Sequence, residues 1–223
     1  MLGVLVNVVT VVLGSLVGIL LRKQIPKGKE EIFIDAVGIF TLSLGIVMIQ
    51  SEKNMVSVVV SILLGSLLGE ILAVEEHLNK FAERLRNKFR GDSKFVEGFV
   101  VSSVTFCVGP MAILGSIMDG MGDPNILITK ALLDGLMSVV YSSSLGVGVL
   151  FSFIPVLVYQ GSVAFLSFYL KTFFTEKIIG DFTATGGLLL LGLGVNILNL
   201  KKIKVANMLP SLIVVVIITS IFF

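Results

Sequence analysis

Lys130, Asp134 and Ser138 lie four residues apart in the middle of the chain, so a helix would carry all three on one face. Ionisable side chains in an apolar run are expensive, and a Lys–Asp pair there can be understood in two ways. The two charges can neutralise each other, which lowers the cost of burial and makes the pair structural. On the other reading Asp134 faces a wet cavity and binds a cation or a proton, while Lys130 tunes its charge. A second contributor lies upstream, in Phe106-Cys107-Val108-Gly109-Pro110-Met111-Ala112-Ile113-Leu114-Gly115-Ser116, followed by Asp119. Pro110 removes a backbone donor and clashes with the preceding turn, so a kinked or broken helix is expected. Unwound backbone would free carbonyls and amides to hold an ion or polar solute, which a bilayer tolerates only beside a cavity. Asn7, Gln160, Asn196 and Asn207 bring side-chain amides into other apolar runs, where interhelical hydrogen bonding is the plainer account of each. The candidate ion- or substrate-binding set is therefore Asn7, Cys107, Gly109, Pro110, Gly115, Ser116, Asp119, Lys130, Asp134, Ser138, Gln160, Asn196 and Asn207. Asp119 also reads, with Asp123, as a plain loop carboxylate near the end of a span.

Other chemistries find little support. The sequence has no HExxH, no GxSxG and no glycine-rich loop ending in GK[ST], so no enzyme is expected. Ser142 to Ser144 and Cys107 lack a histidine partner, because the one histidine, His77, falls in a different kind of segment. An intramembrane hydrolase built on Asp119 and Asp134 is a third-ranked reading. One cysteine excludes an internal disulfide and a cysteine-only metal site, and one histidine excludes a histidine-rich one; no metal or cofactor is expected. The net charge of +2 is small and the basic residues are clustered, which gives a nucleic-acid partner no support.

The elements that must position these residues are membrane helices. Of 223 residues, 55% are hydrophobic and 14% charged, with a mean hydropathy of +1.03, a balance that suits lipid rather than water. The apolar runs are about as long as a hydrocarbon core of roughly 30 Å requires. The expected fold is all-α, a polytopic bundle in a single integral membrane domain. Spans are expected at 2–21, 32–49, 55–74, 95–118 (broken at Gly109-Pro110), 126–141, 145–174 as one long kinked helix or, second, two shorter ones, 182–200 and 205–223. The N-terminal run lacks a basic flank and a convincing cleavage site, and reads as a retained first span. Residues 75–90 differ. Leu78, Phe81, Ala82, Leu85 and Phe89 recur at helical spacing among Lys80, Arg84, Arg86, Lys88 and Arg90, which predicts a basic amphipathic helix, on anionic lipid headgroups by the favoured reading and a solvated connector by the other. Eight crossings with both termini outside place the basic loop 22–29, segment 75–94 and cluster 201–204 together in the cytoplasm.

Two internal similarities stand out. Leu-Gly-Ser-Leu-Val-Gly at 13–18 recurs as Leu-Gly-Ser-Leu-Leu-Gly at 64–69 and, altered, at 114–120; small residues at this spacing let helices approach closely. Gly38, Leu42, Leu44, Gly45, Lys53 and Val56 align at one offset with Gly187, Leu191, Leu193, Gly194, Lys202 and Val205. The two segments would cross in opposite directions, which points to an inverted-topology repeat with halves near 1–94 and 126–223.

The central motif 106–116 with Asp119-Gly120 resembles the signature of the YqgA/YdfK family of bacterial inner-membrane proteins. Asn7, Gly14-Ser15, Lys130 with Asp134-Gly135, Gly146-Val147-Gly148-Val149, Gln160-Gly161, Gly186-Gly187 and Ala206-Asn207-Met208-Leu209-Pro210 are similar to it too. Met118 departs from the pattern, since a polar residue is expected before Asp119-Gly120. The resemblance implies a prokaryotic cytoplasmic membrane and a domain of unknown function, sometimes labelled a transport protein. The leading expectation is a small secondary transporter or ion-conducting protein, a homo-oligomer because small-residue faces need partners. The rival is a membrane scaffold or sensor that uses helix 75–90.

Overall fold

A computed structural model describes residues 1–22, 30–89 and 93–222. The expected basic residues Lys23, Lys27, Lys29 and Arg90 lie outside them. The described residues are all-helical, with no strand among them: α1 Leu2–Arg22, α2 Glu30–Ile49, α3 Met55–Ile71, α4 Val74–Phe89, α5 Phe95–Cys107, α6 Pro110–Gly120, α7 Asn125–Leu145, α8 Phe153–Phe165, α9 Ser167–Phe173, α10 Glu176–Ile197 and α11 Ser211–Phe222. Short 3-10 stretches cover Gly146–Ser152 and Val205–Met208. The chain forms a polytopic helical membrane protein. Among the described residues, Leu2–Arg22, Asn125–Phe165, Glu176–Ile197 and Val205–Phe222 are each long and apolar enough to cross a membrane, and up to six spans result if two bent helix pairs each count once. The expected count of eight is not confirmed, because α2 contributes only a shorter apolar helix, Ile34–Ile49, and α7 joins α8 through a 3-10 stretch into a single candidate span over 125–165.

The helices group into two compact units, Met1–Val37 with Glu83–Phe173, and Gly38–Ala82 with Phe174–Phe223. In the first unit α1 lies along α7 and parallel to it. Gly3 meets Leu127, Gly14 meets the Gly135 carbonyl and Ser138, and Gly18 meets Val139 and Ser142. A Cβ at Gly18 would stand 2.0 Å from Ser142 Oγ, so only glycine permits this approach. The buried face of α1 is Gly3, Val4, Asn7, Val11, Gly14, Ser15 and Gly18, whereas Leu5, Val9, Leu13 and Leu20 are exposed. Small and polar residues inside with large apolar ones outside is the arrangement expected where lipid is the solvent.

Helices α5 and α6 are the halves of the predicted broken span and meet at 63°. Gly109, between them, has φ 172 and ψ 155, extended backbone that any residue can adopt, and Pro110 opens α6. There its missing N–H is no loss, because the first helical donors have no partner in any case. Asp119 lies within α6 and not in the turn that follows. Helix α7 extends through Ser142–Ser144, where a span end was expected, since the hydroxyls of Ser142 and Ser143 fold back onto the carbonyls of Ser138 and Val140. Residues 145–174 follow the alternative of two shorter helices, α8 and α9, and not the one kinked helix. Gly146, at φ 81, opens the 3-10 stretch, Pro155 falls in the first turn of α8, and a second interruption separates α8 from α9.

In the second unit α3 packs antiparallel on the chain from Asn207 to Ser211, with Gly65 against Ser211 and Gly69 against the Asn207 carbonyl. The aligned segments of α2 and α10 also pack on one another antiparallel: Gly45 meets Gly187 and Leu191, Gly194 meets Leu42, and Gly38 meets Leu198. The seventh run starts six residues before its expected Phe182, at Glu176, where the Thr175 hydroxyl accepts from the Ile178 N–H as an N-cap. The last run starts as 3-10 turn, because Pro210 cannot donate to Ala206 and α11 begins only after it.

Candidate functional site

The first unit brings Asn7, Lys130, Asp134 and Gln160 together, with Phe106 at the break. The i,i+4 spacing on α7 lets Lys130 Nζ donate to Asp134 Oδ2, as the sequence predicts. The same ammonium donates to the Phe106 carbonyl at 2.8 Å. That carbonyl is available for a covalent reason: its helical partner four residues on is Pro110, which has no N–H. Proline thus creates an unsatisfied acceptor, and a lysine from another helix satisfies it. Asn7, on the buried face of α1, donates through Nδ2 to Asp134 Oδ2 at 2.9 Å and to Gln160 Oε1 at 3.0 Å. The carboxylate accepts only, which fixes the Asn7 amide with its nitrogen toward Asp134. Two atoms are left over. Asn7 Oδ1 and Gln160 Nε2 are buried and make no hydrogen bond. Lys130 and Asp134 are only 6% and 7% exposed, so charge pair and amides together form one occluded polar cluster. An unmet acceptor beside an unmet donor in an apolar interior is costly, and a bound polar species could satisfy both.

The other candidates are placed differently. Ser138 Oγ donates to the Asp134 carbonyl and Ser116 Oγ to that of Ala112, so each hydroxyl is used within its own helix. Gly115 lets α6 close on Ile126 and Leu127. Cys107 is a free, half-buried thiol at the end of α5. Asp119 is 1% exposed, and its two oxygens accept the Gly3 and Val4 N–H groups at 3.0 Å each. It therefore satisfies the first donors of α1 and complements that helix's dipole. Asn196 and Asn207 belong to the second unit and are not in this cluster. Asn196 brackets the following turn through both bonds to Ile203, at 2.8 and 2.7 Å. Asn207 donates to Glu70 at 2.6 Å and accepts the Glu75 N–H at 2.6 Å, which ties it to the turn between α3 and α4. Lys204 reaches the same Glu70 at 2.7 Å, and this hydrogen bond holds its ammonium above the ordinary lysine range.

One buried ionisable residue escapes sequence reasoning. Asp181 is wholly buried in the second unit; its Oδ1 accepts the Lys53 and Asn54 N–H groups at 2.7 and 2.8 Å, and its Oδ2 accepts the Thr219 hydroxyl at 2.9 Å. It sits just before the apolar run that marks the seventh span, where a carboxylate passes for a loop residue. The available signal was the spacing of Asp181, Thr183 and Thr185 ahead of Gly186-Gly187, which is polar yet carries no loop residues. Asp119 and Asp181 play related parts: Asp119 caps the first turn of α1, while Asp181 holds the Lys53 and Asn54 N–H groups just ahead of α3, whose own N-cap is the Asn54 side chain, and both helices carry Leu-Gly-Ser-Leu-x-Gly further on.

Comparison with known proteins places the chain. A family model described as "Protein of unknown function (DUF554)" matches residues 2–220. The chain is 34% identical over 218 residues to the uncharacterized protein YqgA of Escherichia coli strain K12, covering 95% of this chain and 93% of that protein. It is 33% identical over 219 residues to the uncharacterized membrane protein YdfK of Bacillus subtilis strain 168, covering 96% and 93%. No solved structure matches. The resemblance carried by the Gly109-Pro110 motif thus extends over nearly the whole chain, which belongs to the DUF554 family of membrane proteins of unknown function.

Proposed function

We propose that the protein is a small secondary transporter or ion-conducting protein whose site is the cluster at the broken fourth span. One observation carries this reading: the pairing of Lys130 with both the proline-freed Phe106 carbonyl and Asp134, beside two buried amide atoms that no described residue satisfies. A structural ion pair needs no helix break and no orphaned amides next to it. A site that a polar species occupies and leaves accounts for all three features. The antiparallel contact between the two aligned glycine segments supports an inverted relation of the kind found in transporters. The small-residue stripes that argued for a homo-oligomer are used inside each unit, so a second copy would have to bind through other faces. The membrane would be a prokaryotic cytoplasmic membrane with both termini outside, which reporter fusions at each terminus would check.

The test is flux of monovalent cations and small polar solutes into proteoliposomes, comparing the wild-type protein with Asp134→Asn and Asn7→Ala. Flux that is present in the wild type and lost in both variants supports the site. Flux unchanged by Asp134→Asn moves the site elsewhere, and its absence for every probe favours the scaffold reading.

A further inference from the structure

We propose that α4 is an anionic-lipid-binding helix that lies on the bilayer surface, with Phe81 as its inserted residue. Seven of its residues are charged (Glu75, Glu76, Lys80, Glu83, Arg84, Arg86 and Lys88), which excludes it from the hydrocarbon core. It leaves α3, an apolar helix, through a bend of 63° at Ala73, whose φ is +49. With α3 entering the bilayer near its normal, a helix turned so far from it runs closer to the membrane plane.

The charges are not scattered around it. On a helical projection Val74, Leu78, Phe81, Ala82 and Leu85 form one apolar stripe roughly 100° wide. Ala82, on one side of the stripe, is fully buried, while Phe81, on the other, is 43% exposed. The projection places Lys88, His77, Arg84 and Lys80 next to that exposed edge, in order of distance from Phe81. The carboxylates of Glu76 and Glu83 fall on the opposite, polar side, and Glu76 is held there by a 2.5 Å bond from Lys80. An exposed aromatic ring flanked by Lys88 and Arg84, with Glu83 on the far side and Glu76 paired to Lys80, is complementary to an anionic headgroup layer over acyl chains. A soluble partner with an acidic surface would match the cations but would not require the ring beside them.

The chain contains no tryptophan, so Phe81→Trp introduces a unique fluorophore at the proposed insertion point. The protein would be reconstituted in mixed phosphatidylcholine and phosphatidylglycerol vesicles, with either lipid brominated in turn. The ratio of the two quenching efficiencies reports the lipid next to α4. Phosphatidylglycerol should be enriched several-fold over its bulk fraction, and Arg84→Gln with Lys88→Gln should return the ratio to about one, since each basic residue near an anionic surface changes local occupancy by roughly fivefold. High salt should do the same. A ratio of about one in the unmodified-charge protein would overturn the lipid class. Absence of quenching by either lipid would overturn the surface placement altogether. His77→Trp, on the same edge, repeats the measurement should Phe81→Trp fail to fold.

Discussion

If Lys130 and Asp134 form one electrostatic unit, then removing both should hurt less than removing the lysine alone. In Lys130→Met the Asp134 carboxylate keeps its Asn7 bond but loses its charge partner while only 7% exposed. Breaking a buried pair in this way costs about 3–5 kcal/mol. The Phe106 carbonyl also loses its donor, at about 1–3 kcal/mol, because Pro110 cannot replace it. Lys130→Met should therefore destabilise by about 4–8 kcal/mol, less whatever Asp134 recovers by taking up a proton. In the double variant Lys130→Met/Asp134→Asn no charge is stranded. The new amide oxygen can still accept from Asn7, so mainly the carbonyl term of about 1–3 kcal/mol remains. The second substitution should thus stabilise the first variant by about 2 kcal/mol or more. Asp134→Asn alone should cost less than Lys130→Met, since Lys130 loses its counter-charge but keeps the Phe106 carbonyl and an amide oxygen as acceptors. Unfolding of the detergent-solubilised protein, followed by far-UV circular dichroism across a denaturant series, measures all four species. Single costs that add in the double variant would refute the pairing, because independent sites are additive.

Three further outcomes follow from the glycines, the break and the caps. Gly69→Ala would put a Cβ 1.8 Å from the Asn207 carbonyl, and should cost 1–3 kcal/mol or more, whereas Gly161→Ala, with nothing within 4 Å, should be neutral or stabilising by up to about 1 kcal/mol; thermal melts rank the two. Gly109→Ala should leave stability unchanged, for its backbone is extended and a Cβ there meets nothing within 4 Å, so any flux it loses reports on the site rather than on folding. Asp181→Ala should destabilise by roughly 2–5 kcal/mol by stranding the Lys53 and Asn54 N–H groups and the Thr219 hydroxyl, while Thr219→Val should cost under about 2 kcal/mol; the same melts separate them.

The features legible in the sequence are those that depend on neighbours along the chain. The i,i+4 spacing of Lys130 and Asp134 dictates that they meet if α7 forms, and Pro110 breaks a span whatever surrounds it. Apolar run length locates most helices, although it misplaces the ends of those at 176 and 211. There a hydroxyl cap and a proline decide, and hydropathy does not register either one. What the sequence hides is which distant group answers each local deficit. Nothing near Phe106 announces that its carbonyl will be met by a lysine 24 residues on, and nothing near Asp119 or Asp181 shows that each faces a helix start more than 100 residues away. The apolar surround makes these deficits consequential, because water cannot repair them, so each orphaned donor or acceptor must recruit a partner from elsewhere in the fold.

The same reasoning ranks what is left unmatched. Ser15, Ser57 and Ser61 also have buried hydroxyls without a partner, but a serine on a helix can turn its hydroxyl to a carbonyl one turn back with little rearrangement. Asn7 and Gln160 cannot relieve themselves so cheaply. Rotating the Asn7 amide would turn its oxygen toward the Asp134 carboxylate, and its present bond to Gln160 would be lost with it. The Asn7–Gln160 deficit is therefore locked in by the ion pair, and it leaves one acceptor and one donor open to a polar species. Asn7→Leu alone strands both polar atoms of Gln160, so the occupant-free fold should tolerate Asn7→Leu with Gln160→Leu better than Asn7→Leu by itself, while flux through the site should fall with each variant.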